Sequence, residues 1–324
     1  MDIIIRQVQN SDFDELLALY ESIWGNVDYN KSDKLKFLIE SRSACLIAES
    51  DKKIIGSRMS MPIHLYEGHK PLHCIQVCDT CTAPSYRGKG VMGSLNKTLL
   101  SEFFVVNKGD VIFNVGEFSS RSVNEKYGWQ YINSFGTLVQ FTRPFHIFAK
   151  VGHHIGVVGG NDGWEAGDKA LEVPKRFLEV RKSVMQMSNV LHVNYDQQTL
   201  DWRIKTNSGI KCFVDDNVGA VIYKVRYTQG LTIVLIGEMF PAEYSQKAFN
   251  ELLNAFKKSI NPDAIKCIIS LGHPLYKFYR RKCFLPNFGR KFLNHGVRVE
   301  TDEMKQICYE PMNWAISMLD IDTF

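Results

Sequence analysis

Residues 84–93 read Pro-Ser-Tyr-Arg-Gly-Lys-Gly-Val-Met-Gly, and their types and spacing suit one task, holding an anion. Gly88 and Gly90 let the backbone turn with positive φ and approach a phosphate closely. Arg87 and Lys89 place positive charge at the same spot. The apolar run from Ile75 to Cys81 precedes the loop as a strand. Val91, Leu95, Thr98, Leu99 and Phe103 follow it on one face of a helix. A strand–loop–helix unit of this kind offers unpaired N–H groups and the positive end of a helix dipole. Gly88, Gly90 and Gly93 match the letters of a dinucleotide fingerprint, but that fold wants the loop after its first strand, and here about four strand-like runs come first. A P-loop needs a Lys-Ser/Thr pair where Val91-Met92 stands.

A second stretch runs from Glu117 to Trp129, Glu-Phe-Ser-Ser-Arg-Ser-Val-Asn-Glu-Lys-Tyr-Gly-Trp. The two together resemble the GNAT superfamily, the GCN5-related N-acetyltransferases. Arg87-Gly88-Lys89-Gly90-Val91-Met92 fits its Arg/Gln-x-x-Gly-x-Gly/Ala loop. Ser120, Val123, Glu125, Lys126, Gly128 and Trp129 fit the segment after its fifth strand. The resemblance covers about residues 1–140. It implies acetyl-CoA as acyl donor, with the pyrophosphate on Arg87, Gly88, Lys89, Gly90, Val91 and Met92. The pantetheine arm would pair with the strand edge at Cys81, Thr82 and Ala83, and an N–H near Cys81 would polarise the thioester carbonyl. Met92 departs from the usual Gly/Ala, and Gly93 is expected to relieve the crowding.

Attack by an amine needs a proton acceptor. Asp79 on the motif strand and Glu117 after the neighbouring strand flank the expected thioester position, so both are candidates. The alternative for Asp79 is an outward-facing strand residue, and for Glu117 a helix cap. Where the family often carries a Tyr as acid, this sequence has Asn124. Tyr127 and Tyr86 are the nearest phenols, and the acid stays unassigned.

The surrounding pattern reads as βααβββαβαβ. Strands are expected over 2–8, 44–49, 53–65, 72–83, 110–115 and 129–142, with helices from about 13, over 31–40, from the loop to 106, and over 120–127. Residues 151–168, glycine-rich, read as a linker, and 172–195 as a helix. Strands follow over 210–216, 219–227 and 231–238, a helix over 242–259, and a strand over 264–271. Phe278-Tyr-Arg-Arg-Lys-Cys-Phe284 resembles a second copy of the Glu117–Trp129 segment's end, with Cys283 in place of Gly. The order of elements thus suggests an internal duplication whose second copy lacks the anion loop; an unrelated α+β cap is the alternative. The expected fold class is α/β (α+β), a GNAT fold with a mixed central sheet flanked by helices and a second GNAT-like α+β domain. Its parts would be a catalytic domain at 1–145, a linker and connecting helix at 146–195, and a degenerate domain at 196–324.

A chain of 324 residues, 45% hydrophobic and 23% charged, has the composition of a soluble globular protein with about two domains. No apolar run nears the ~20 residues of a membrane span. Met1-Asp-Ile-Ile-Ile-Arg lacks the basic and apolar regions of a signal peptide. The eight cysteines sit mostly in apolar runs, as reduced thiols of a cytoplasmic protein would. Cys78-x-x-Cys81 has no second pair at metal-site spacing, so no metal is expected. A net charge of +4 suits an anionic cofactor and is too diffuse for nucleic acid. The expected partner is a small-molecule amine, with an amino sugar or nucleotide-linked amino sugar the first guess from resemblance. The rivals are a CoA-binding sensor or scaffold without catalysis, and a protein-lysine acetyltransferase. Acyl length, acceptor and oligomeric state are left open.

Overall fold

In a computed structural model, the protein is described over residues 2–25, 31–41, 43–116, 120–153, 163–168, 172–206, 209–286 and 293–321. Its elements run β1 (Ile4–Gln7), α1 (Phe13–Trp24), α2 (Lys31–Glu40), β2 (Leu46–Ser50), β3 (Lys53–Glu67), β4 (Lys70–Thr82), α3 (Val91–Leu100), β5 (Val111–Gly116), α4 (Arg121–Glu125) and β6 (Gln130–Ile132). There follow β7 (Phe135–Phe141), α5 (Pro144–His153), β8 (Gly163–Trp164), α6 (Lys175–Met187), β9 (Leu191–Val193), α7 (Gln197–Thr206), β10 (Lys211–Asp215), β11 (Gly219–Thr228), β12 (Leu231–Pro241) and α8 (Gln246–Ile260). The chain ends with β13 (Ala264–Ser270), α9 (Tyr276–Arg281), β14 (Leu285–Pro286), β15 (Asn294–Arg298), α10 (Asp302–Cys308) and β16 (Trp314–Ala315). Among the described residues, no helix is long and apolar enough to cross a membrane.

The chain forms two compact units, neither contiguous in sequence. The first holds residues 1–66, 70–133 and 293–310; the second holds 67–69, 134–292 and 311–324. In the first, the sheet runs β1-β2-β3-β4-β5-β15-β6. β4 and β5 are parallel because α3 carries the chain across the sheet, as a crossover between parallel strands must. Helix α3 presents Val91, Leu95 and Leu99, spaced by one turn, to Ile55, Ile75, Val77 and Ile112 of the sheet. Burying each such side chain stabilises the unit by about 1.5–3 kcal/mol. Beyond Leu100 the helix widens into a π-helical turn over Ser101–Val106, which brings Phe103 into the same core.

The second unit repeats this plan. Its sheet runs β10-β11-β12-β13-β7-β14, with β8 on the edge of β11. β12 and β13 are parallel and joined by α8, which buries Phe249, Leu252, Leu253 and Phe256, a spacing of three and four. The strand directions also match. β15 lies antiparallel to β5 in the first unit, as β7 lies antiparallel to β13 in the second. The next-to-last strand of each sheet therefore comes from the other half of the chain, an exchange that element order alone does not reveal.

The segments read as copies share a backbone device. Gly128, after α4, has φ +79, and Cys283, after α9, has φ +61. The second copy keeps the left-handed turn although it has lost the glycine, at a cost of roughly 1–2 kcal/mol. Trp129 and Phe284, the residues that follow, are both buried.

Two stretches differ from expectation. Residues 144–153, which fall between the expected strands ending at 142 and the expected linker from 151 and overlap the latter, form helix α5. The segment 172–195, read as one helix, is α6 followed by the short strand β9, since Asn189 turns the chain with φ +50.

Candidate functional site

Within the first unit, β4 and β5 pair only from Cys74–Val111 to Gln76–Phe113, although the strands continue to Thr82 and Gly116. The two strands thus part beyond Gln76. Asn114 Nδ2 donates to the Val77 carbonyl at 2.9 Å and ties the fork where it opens. Past the fork Asp79 has φ +39, so the motif strand is kinked at a residue that rarely adopts this region. Ser57 on β3 donates to the Asp79 carbonyl at 2.9 Å and holds the kink.

The kinked strand leads into the loop, and the loop into α3. Gly90 caps that helix with φ +84 and offers no side-chain cap. The first intrahelical bond runs from Ser94 N–H to the Gly90 carbonyl at 3.0 Å. The N–H groups of the first turn therefore have no intrahelical acceptor, and the helix dipole adds to them. A Cβ on Gly88 or Gly90 would meet nothing within 4 Å, so the space before these amides is open. A diphosphate fits what is present: open backbone amides, no acidic side chain in the first turn, and Arg87 and Lys89 beside them.

A groove of about 770 Å³ lies along this surface. One wall is Thr80, Cys81 and Thr82 of β4, and the floor is Arg87, Gly88, Gly90, Val91, Met92 and Gly93. The other wall is Ser120, Val123, Lys126 and Tyr127, and Ile23 and Trp24 of α1 close one end. The two segments singled out in the sequence thus meet in one groove. Ala83 and Lys89 belong to the same stretch without lining it, and Lys89 Nζ stands 5.0 Å over the Tyr86 ring. Gly93 makes room for a side chain: a Cβ there would come within 2.9 Å of the Tyr127 hydroxyl. Its smallness thus serves Tyr127, while Met92 points its thioether at Arg58, with Arg58 Nη1 to Met92 Sδ at 3.6 Å.

The carboxylate candidates differ. Asp79 is engaged by Lys34 of α2, Nζ to Oδ1 at 3.0 Å, with both side chains nearly shut off from solvent. Glu117 lies outside the described residues, three positions before Ser120 of the groove wall. Asn124, at the position of the family's frequent Tyr, is buried. It accepts from Arg58 Nη2 and Asn96 Nδ2, both at 3.2 Å, and donates to the Tyr131 hydroxyl at 2.9 Å. Burial raises the Tyr131 phenol above its ordinary range, with Asn124 and Arg58 opposing. The Cys81 thiol, 3.3 Å from Ser57 Oγ, is pushed up to about 11 by burial and stays protonated.

Sequence reading missed Trp24 and Thr80 as lining residues, since nothing in their local pattern marks them. It also missed Arg58. There a signal existed: a single charge inside the apolar strand Lys53–Glu67.

Residues 4–132 match the family model described as an acetyltransferase (GNAT) domain. No curated protein matches the chain. Among solved structures, the chain is similar to a GCN5-related N-acetyltransferase from Anabaena variabilis, with 13% identity over 92% of this chain and 73% of that one, TM-score 0.65. A GCN5-related N-acetyltransferase from Kribbella flavida gives 11% identity over 92% and 72%, TM-score 0.63. Eis1 from Mycobacterium abscessus gives 14% identity over 92% and 73%, TM-score 0.57. At such identities these likenesses establish the fold, and they extend over both units.

Proposed function

We propose, on the premise that the chain carries a GNAT acetyltransferase domain at residues 4–132, that it moves an acyl group from acyl-CoA to the amine of a small acceptor. The observation that carries this reading is the open N-terminus of α3, capped by glycine alone, at the mouth of a forked pair of parallel strands. Bound acetyl-CoA supplies the acyl group as an activated thioester. The amides of Gly88 to Met92 hold its pyrophosphate, and Arg87 and Lys89 add charge around it. The edge of β4 at Cys81, Thr82 and Ala83 orients the pantetheine arm, with an N–H near Cys81 facing the thioester carbonyl.

Asp79 and Glu117 are the proposed carboxylates of the proton path. Glu117, after β5, takes the proton of the acceptor ammonium. Asp79, held by Lys34, fixes the strand kink and the local field. The catalytic part is assigned to 1–145, the connection to 146–195, and a part without its own CoA loop to 196–324. An amino sugar, free or nucleotide-linked, is the first acceptor to assay.

Release of CoA thiol from acetyl-CoA, followed across a panel of amino sugars, aminoglycosides and polyamines, tests this reading. Turnover on one class supports it. The burial of Asn124 where a Tyr acid often stands favours a second reading, a CoA-binding sensor. Calorimetric binding of CoA with no turnover on any amine, and none on lysine peptides, would select the sensor.

A further inference from the structure

Arg58 is the first unit's anomaly. It lies in the middle of β3, is 1% exposed, and faces no carboxylate among the described residues. Its contacts are neutral: Met92 Sδ at 3.6 Å, Asn124 Oδ1 at 3.2 Å and the Trp129 ring at 5.4 Å from Cζ. Its Nε has no hydrogen-bond partner. Lys34 and Arg181 are as deeply buried, yet each has a carboxylate within 3.0 and 3.1 Å. Removing a charge from water without a counter-ion costs several kcal/mol. Such a charge is tolerated where something else supplies the opposite sign.

The place of Arg58 identifies what that is. Met92 is the second residue of α3, in the turn whose amides open into the groove, and its thioether is the group that Arg58 touches. A guanidinium behind this turn adds a full positive charge to the partial charge of the helix end. The low-dielectric core around it weakens screening. Desolvation pushes Arg58 down to about 10, so it remains cationic at neutral pH.

We infer that Arg58 is a positioning residue for the anionic part of the groove's ligand, a diphosphate, whose charge serves from across the Met92 turn as the counter-ion that the described residues do not supply. The inference rests on the groove reading above. It also gives Met92 a reason. A Gly or Ala there would leave the guanidinium without its polarisable neighbour, and the thioether, a weak acceptor, covers it without neutralising it.

The test compares a charged and an uncharged form of the same ligand. Calorimetry measures CoA, inorganic pyrophosphate and pantetheine against wild type, Arg58→Met, Arg58→Gln and Arg58→Lys. Arg58→Gln retains a donor for Asn124 if the Met variant folds poorly. The expected result is about tenfold weaker binding of CoA and pyrophosphate in both neutral variants. Pantetheine should bind within twofold of wild type, Arg58→Lys should keep most CoA affinity, and the salt dependence of CoA binding should be shallower in the neutral variants. Unchanged CoA affinity in Arg58→Met or Arg58→Gln overturns the inference, and so does an equal loss of CoA and pantetheine, which marks a merely structural residue. If wild type binds neither CoA nor pyrophosphate, the groove reading itself fails and takes this inference with it. If wild type binds them and the neutral variants bind equally well, only the inference fails.

Discussion

Helices α3 and α8 occupy the same place in their units, each joining two parallel strands, yet their N-termini are opposites. α3 is capped by Gly90, with no side chain over its amides. α8 is capped by Ser245 in extended conformation, whose Oγ accepts from Ala248 N–H at 3.2 Å. One end is open to an outside anion and the other satisfies itself. The buried arginines follow the same division. Among the described residues Arg58 has no carboxylate and is pushed down to about 10, whereas Arg181 is paired with Glu238 at 3.1 Å and raised above its ordinary value against its desolvation. Two sheets with one strand order thus differ in whether a described carboxylate faces the buried arginine and whether a side chain caps the crossover helix. If the proposed reading holds, binding resides in cap and counter-charge, not in topology.

The largest expected effect contrasts the two arginines. Arg181→Met leaves the buried Glu238 with His273 in place of its arginine and should cost about 3–5 kcal/mol of stability in guanidinium titration. Arg58→Met strands no carboxylate and should cost only about 1 kcal/mol. Equal losses would erase the contrast. Next, Gly90→Glu, which puts a carboxylate into the cradle, should weaken CoA binding at least about a hundredfold, or ~2.7 kcal/mol, with the circular dichroism spectrum intact. Wild-type affinity in that variant would remove CoA from the loop.

Acid should act on both units through buried imidazoles. Burial pushes His295 down to about 3 and His192 to about 4. The unfolded chain takes these protons near pH 6.5 and the folded one does not. Their contribution is therefore complete above pH 6.5 and is lost as pH falls towards 3, by up to ~1.4 kcal/mol per pH unit for each histidine. His295→Asn should reduce the slope of stability against pH between 6.5 and 5 by about one proton; an unchanged slope would place the acid sensitivity elsewhere. The smallest effect is Ser245→Ala, which should cost about 1 kcal/mol while CoA binding stays as in wild type.

Much of the site was legible because its signals are local. The spacing of Gly88 and Gly90, and the alternation of β4 before them, state a strand–loop–helix unit within some twenty residues. Tyr279, in the segment that resembles a second copy, packs against Phe249 and Phe284. What escaped depends on distant partners. Nothing within 135–141 says that it pairs with 264–270, because a two-sided apolar strand satisfies either sheet. The left-handed φ of Cys283 is invisible in a residue type that rarely adopts it. Arg58 was readable as a charge in an apolar strand, but its meaning needed Met92, thirty-odd residues on.

β15 inserts between β5 and β6, so the first sheet waits for residues made long after β5. At ~5–20 residues per second, translation from β5 to β15 takes on the order of ten seconds or more. Throughout that interval one side of β5 has unpaired backbone groups, an invitation to wrong partners. A nascent chain can assemble the loop and α3 early, but its first sheet closes only after β15 has been made. A fragment cut near residue 145 lacks the strand that covers this side of β5.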